Sequence, residues 1–172
     1  MRAPPFRRIL VPHDFSEHAT AALRLAASLG DSPDCELTVL HVVVPFYVPV
    51  DLPMGLGRDQ LPPIRDIVRA EQRRLVDLVE RSVGSCAASI RCRVAIGDPA
   101  DRIVRAGRRA DVIVMATTGR SGLAHLLIGS VAEKVVRHAN VPVLTVRPRA
   151  LRAGRAVGPA ITPRRAGGGH RS

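Results

Sequence analysis

The sequence predicts an α/β protein: an open, doubly wound, mostly parallel sheet with helices on both faces. Three observations carry this. Short runs rich in Val, Ile and Leu alternate along the chain with segments of helical periodicity. The order reads β-α-β-α-β-α-β-α-β, and right-handed crossovers wind such a chain into a single open sheet. The 172 residues suffice for one domain with a sizeable core, and an apolar content of 46% excludes a disordered chain.

Each element has its own signal. Phe6 to Pro12, FRRILVP, becomes apolar and is closed by proline, as a buried strand would be. Ser16 is suited to cap the next helix, in which Ala19, Ala22, Leu23, Ala26 and Ala27 recur at helical spacing until Gly30. Leu37 to Val44, LTVLHVVV, suits a strand covered on both faces, with His41 as a satisfied core histidine. Pro45 to Pro63 is a long irregular excursion rich in Pro and Gly, after which Ile64 to Val83 is amphipathic and helical.

Ile90 to Ile96, IRCRVAI, alternates as a half-exposed strand does. Asp98 and Pro99 then supply the cap and first position of a helix running to about Arg109. Asp111 to Ala116 is a buried strand, Ser130 to His138 a helix, and Val141 to Val146 a final strand.

In such sheets ligands bind beyond the C-terminal ends of the strands, where the strand order reverses. Pro12-His13-Asp14, Val42-Val43 and the stretch from Met115 onward all fall there. That last stretch, MATTGRSGLAHLLIGS, has the makings of an anion cradle. Gly119 and Gly122 permit backbone shapes closed to other residues. Gly129 admits close approach, and Ser130 offers a hydroxyl and, with Val131, the amides of a helix start. The stretch is neither the P-loop pattern GxxxxGK[ST] nor GxGxxG.

Asp14 reads equally as an acceptor for a ribose or cation and as a loop acid that accepts backbone amides. Pro12 fixes the strand exit. Arg120 reads as a phosphate partner or a solvent-facing side chain, and His125 as a surface or packing residue. No catalytic set stands out: Ser130 lacks a GxSxG elbow, and acids near the pocket are few. At most slow nucleotide hydrolysis is expected.

Composition narrows the remaining classes. Aromatics make up 2% of the chain, which disfavours base stacking as a binding mode. The net charge of +11 is weighted to the end: residues 149–172 hold six Arg and no acid, and read as a basic, disordered tail. Such a tail is a solubilising terminus or an electrostatic arm for nucleic acid and other anionic partners. Three Cys without a CxxC or a zinc spacing fit reduced thiols in a cytoplasmic protein. No signal peptide or membrane-length apolar run is evident, so no membrane insertion is expected.

Several segments taken in order resemble the universal stress protein family, of the UspA type. They are ILVPHDFSEHATAALRLAASL, LTVLHVV and GDPADRIVRAGRRADVIVMATTGRSGLAHLLIGSVAEKVVRHANVPVLTVRP, together spanning about Arg7 to Pro148. The resemblance implies a Rossmann-like, five-stranded domain over residues 1–148. Its ATP-binding members carry Gly, two residues, Gly, nine residues, Gly, then Ser or Thr. Here these positions are Ala116, Gly119, Gly129 and Ser130, so Ala replaces the first Gly. Thr118 stands where the family commonly has His.

By resemblance Asp14 would contact the nucleoside and Val42 the adenine, with Pro12 and Met115 beside them. Gly119, Gly129, Ser130 and Val131 would hold the phosphates. The resemblance thus implies a stress-response sensor or regulator that binds ATP or a related adenine nucleotide, with magnesium as an optional companion. Ala116 motivates an alternative, a non-nucleotide protein-interaction module. The family also implies a homodimer through Val141–Val146, an apolar edge strand that needs covering.

Overall fold

A computed structural model describes residues 6–45, 62–84, 86–117 and 128–147. Five parallel strands form one sheet: β1 (Arg8–Pro12), β2 (Glu36–Val43), β3 (Ser89–Ile96), β4 (Val112–Ala116) and β5 (Val143–Val146). The helices are α1 (Glu17–Leu29), α2 (Ile64–Val83), α3 (Pro99–Gly107) and α4 (Ser130–His138). Strand order is β3-β2-β1-β4-β5, so the chain winds outward from β1 in one direction and then in the other. The reversal falls between β1 and β4, which sets a crevice at their C-terminal ends.

The alternation of the strands builds two cores. Ile9, Val11, Leu37, Val39, Val112 and Val114 face one way and pack with Ala22, Leu23 and Ala26 of α1 and Leu75 and Val79 of α2. Leu10, Leu40, Ile113 and Met115 face the other and pack with Ile103 of α3 and Ala132 and Val135 of α4. Because both faces of the central strands are covered, they read as unbroken apolar runs rather than alternating ones.

Small residues set the spacing between layers. The buried face of α1 is largely alanine, which lets its axis sit close to the sheet. A Cβ on Gly30 would lie 2.7 Å from Cys35 Sγ, so glycine is needed there for contact rather than for dihedral freedom. At Gly107 it would lie 2.7 Å from Ile113 Cδ1, which brings the end of α3 down onto β4.

Several boundaries shift by one or two residues from the sequence reading, and two of the shifts have a clear local cause. α3 ends at Gly107, because the amides of Arg109 and Ala110 turn back to the carbonyls of Ala106 and Gly107 in tight three-residue closures. β5 begins at Val143 rather than Val141. Pro142 lends its carbonyl to Ile113 N–H at 3.0 Å but has no N–H to return.

The two edges of the sheet differ. On β3 the Cys92 carbonyl accepts a hydrogen bond from Gln72 Nε2 of α2 at 2.9 Å, and Arg91 and Arg93 stand exposed on the strand. On β5 Leu144 and Thr145 are exposed, and Val136 of α4 is 48% exposed. Among the described residues no helix is long and apolar enough to cross a membrane.

Candidate functional site

The crevice opens as a cleft of about 370 Å³ beyond the C-terminal ends of β1, β2 and β4. It gathers eight residues singled out in the sequence: Pro12, Asp14, Val42, Met115, Ala116, Gly129, Ser130 and Val131. Gly119, Gly122, Thr118, Arg120 and His125 lie outside the described residues, as do positions 46–61 of the Pro-rich excursion and the basic tail.

Each contributor reaches the cleft for a local reason. β1 stops at Pro12, paired with Leu40 of β2. One further ladder bond runs from His13 N–H to the Leu40 carbonyl at 2.8 Å. The next would run from Val42 N–H to the His13 carbonyl, but that carbonyl accepts from His41 Nδ1 at 2.8 Å instead. Backbone groups alternate sides along a strand, so the N–H and carbonyl of Val42 turn toward the space that β1 has vacated. A donor and an acceptor are thus offered side by side above an apolar wall of Leu40, Ile103 and Met115.

The exit of β1 is fastened by a histidine that the sequence reading left without a role. His13 Nδ1 accepts from Phe15 N–H at 3.0 Å, so its proton sits on Nε2. Nε2–H then donates to Thr20 Oγ1 at 3.2 Å, while the Thr20 hydroxyl donates to the Ser16 carbonyl. The bond from Phe15 N–H requires the neutral ring, since a protonated ring has no acceptor at Nδ1. Burial of a side chain only 4% exposed agrees, holding the His13 pKa at about 4.

The turn so formed is strained and then clamped. Phe15 has φ 64, a left-handed conformation costly for a bulky residue. Its ring centroid lies 4.5 Å from that of His41, and the Arg74 guanidinium sits over the ring, 4.0 Å from its centroid. Asp14 Oδ1 accepts from Ser16 N–H at 3.0 Å and from its hydroxyl at 2.6 Å. The carboxylate therefore fills the loop-acid part of its dual reading while lining the cleft.

The far wall is the start of α4. Gly129 is its N-cap, with φ −59 and ψ 148, ordinary extended backbone. Its N-cap residue supplies no side-chain cap, and no side chain among the described residues takes that place. Gly129 N–H is already given to the Thr117 carbonyl at 2.7 Å, so the donors left to the cleft are the amides of Ser130 and Val131 and the Ser130 hydroxyl. These amides carry the positive end of the helix dipole.

The acids sort as the topology requires. Asp14 is the one carboxylate among the described residues that line the cleft. Asp111 lies at the opposite end of the sheet. There it accepts from the amides of Arg7 and Arg8 and from the Arg8 guanidinium at 2.7 Å, which lowers its pKa. Glu133 pairs with Arg137 on the outside of α4. Among the described residues no three His, Cys, Asp or Glu side chains converge as a metal site. Ala19, Pro99, Ile103, Thr117 and Ala132 also line the cleft, and the sequence reading had placed Ala19 only in the apolar repeat of its helix.

The family model for the universal stress protein family matches residues 5–147. The chain belongs to this family. A universal stress protein of Methanocaldococcus jannaschii is 33% identical over 146 residues, covering 83% of this chain and 82% of that protein. The universal stress protein UspA of Lactobacillus plantarum superposes with a TM-score of 0.60 at 26% identity, over 81% of this chain and 97% of that one. The universal stress protein of Archaeoglobus fulgidus, solved in complex with dAMP, shares the fold at 24% identity and a TM-score of 0.53, over 80% of this chain and 95% of that one.

Proposed function

We propose that this universal stress protein binds ATP or a related adenine nucleotide in the cleft and acts as a stress-response sensor or regulator. The observation that carries the reading is the uncapped start of α4, aimed into a cleft whose other wall offers the backbone N–H and carbonyl of Val42. The pairing suits a molecule with a phosphate at one end and an amino-substituted heteroaromatic ring at the other. The dAMP complex of the Archaeoglobus relative supports the same ligand class.

The residues present fit such a ligand. Leu40, Val42 and Met115 line the cleft as apolar contact for the base, and Asp14 beside Pro12 is assigned to a ribose hydroxyl. Ser130 and Val131 provide donors for phosphate, and Gly129 leaves room beside them. Gly119, from the same family pattern, is assigned to phosphate as well. Ala116, half-buried at the end of β4, adds one methyl where the pattern has glycine. With a single lining carboxylate, any magnesium would be held chiefly by the phosphates themselves. The domain is assigned to residues 1–148, followed by the basic tail, and the protein to the cytoplasm.

We also assign a homodimer through β5, whose exposed Leu144 and the neighbouring Val136 form an apolar edge in need of cover. Mass spectrometry of small molecules released from freshly purified protein tests the ligand, and light scattering of the same sample tests the dimer. An adenine nucleotide in stoichiometric amount is expected. Ligand-free protein that also fails to bind added ATP would reject the reading in favour of an interaction module.

A further inference from the structure

A second groove, of about 570 Å³, lies on the α3 face of the sheet, toward the end opposite the nucleotide cleft. Its floor is the half-buried surface of Ala95, Ala106 and Ala110, with Leu10 and Leu40 buried beneath it. Its walls are arginine. Arg93 stands on β3, in register with Leu40 of β2. Arg102 and Arg105 follow at helical spacing on α3, and Arg108 and Arg109 continue in the turn after it.

Two more arginines line the groove, and each has an acid of its own. Arg8 holds Asp111 at 2.7 Å, and Arg91 holds Glu36 at 3.2 Å. None of Arg93, Arg102, Arg105, Arg108 and Arg109 forms an ion pair with an acid among the described residues. Five arginines without an acid partner among the described residues therefore share one concavity over an apolar floor, and an anion bound there would relieve their mutual repulsion.

We propose that this groove docks an acidic, extended segment of a partner protein in which Asp or Glu alternates with apolar residues. Guanidinium forks match carboxylates bidentately. An extended chain sends alternate side chains to opposite sides, so its acids would reach the arginine walls while its apolar residues seat on Ala95, Ala106 and Ala110. Other occupants fit less well. The chain's own tail, with six Arg and no acid, is repelled. Nucleic acid would find no aromatic ring in the lining and would leave the apolar floor unused.

The test is fluorescence anisotropy of a labelled peptide of about ten residues, alternating Glu and Val, titrated with the full-length protein. Binding should weaken at least about tenfold in Arg93→Glu/Arg105→Glu, and should fall as salt rises from about 50 to 300 mM. All five arginines are exposed, so the fold should survive, as a thermal melt will report. The milder Arg102→Gln/Arg109→Gln pair should lose affinity to a smaller extent. A Glu-Ser peptide should bind more weakly than Glu-Val, because it leaves the floor empty. A chain whose six tail arginines are changed to Gln should keep its affinity. The proposal is overturned if the groove variants bind as the parent does, if Glu-Ser binds equally well, or if only the tail variant loses binding. It is also overturned if inorganic polyphosphate or duplex DNA displaces the peptide through the same arginines with higher affinity. None of these outcomes depends on whether the cleft holds a nucleotide.

Discussion

Helices α1 and α4 begin at the same cleft and treat their first amides in opposite ways. At α1, Ser16 Oγ accepts from Ala19 N–H at 3.1 Å, and His13, Asp14 and Thr20 tie down the approach. At α4, Gly129 offers no side chain at all. α3 sides with α1, since Asp98 Oδ1 accepts from Asp101 N–H at 3.0 Å. A helix that begins beside a cleft and is capped by its own chain contributes structure. One that begins there uncapped has donors to spare. This contrast is why the proposed phosphate site is assigned to α4, although all three starts lie on the C-terminal side of the sheet.

The most severe way to break the contrast is to cap α4. Gly129→Asp places a carboxylate among the amides assigned to phosphate and repels the ligand as well. The backbone there is open to any residue, and an aspartate cap suits the helix. ATP affinity should therefore drop at least about a hundredfold, while the melting temperature holds or rises. Titration calorimetry showing unchanged affinity would remove α4 as the phosphate site.

Next in size is the pH response of the α1 side. The folded state holds His13 near pKa 4, below its ordinary value of 6.5. Between these limits the unfolded chain takes up a proton that the folded one refuses. The contribution is thus complete above about pH 6.5 and is lost as pH falls toward 4, to a total of about 3 kcal/mol. Urea unfolding at pH 7 and pH 4.5 should reveal the slope, and His13→Gln should remove it. An equal slope in the variant would mean that other groups carry it.

The smallest effect sharpens the comparison. Asp98→Ala deletes a cap outside the cleft lining, so it should cost about 1 kcal/mol of stability, a few degrees in melting temperature. Nucleotide affinity should be unaffected. A matching loss of ATP binding would mean that α3 is more than scaffold.

These contrasts were unequally visible in the sequence. The bounds of α2 and α4 follow directly from periodicity and flanking residues, as do the caps at Ser16 and Asp98. The gathering of Pro12, Asp14, Val42 and Met115 follows from topology, because strand ends that share one side of a sheet must meet. His13 was illegible for a different reason. Its role rests on a tautomer fixed by Phe15 and Thr20, and a buried ring looks no different from an exposed one in a string of letters. The groove was hidden likewise: Arg93 and Arg105 come to line one groove only once α3 has folded back over β1 and β2.

Under the proposed pairing through β5, the unequal edges of the sheet decide how copies of this protein add up. On β3 an outer carbonyl is occupied by Gln72, and charged side chains flank it. β5 carries exposed Leu144 and Thr145 instead. Growth of the sheet from copy to copy therefore has one open end per molecule. Two such ends joined about a two-fold axis leave none, so association through this edge terminates at a pair instead of running on as a fibre.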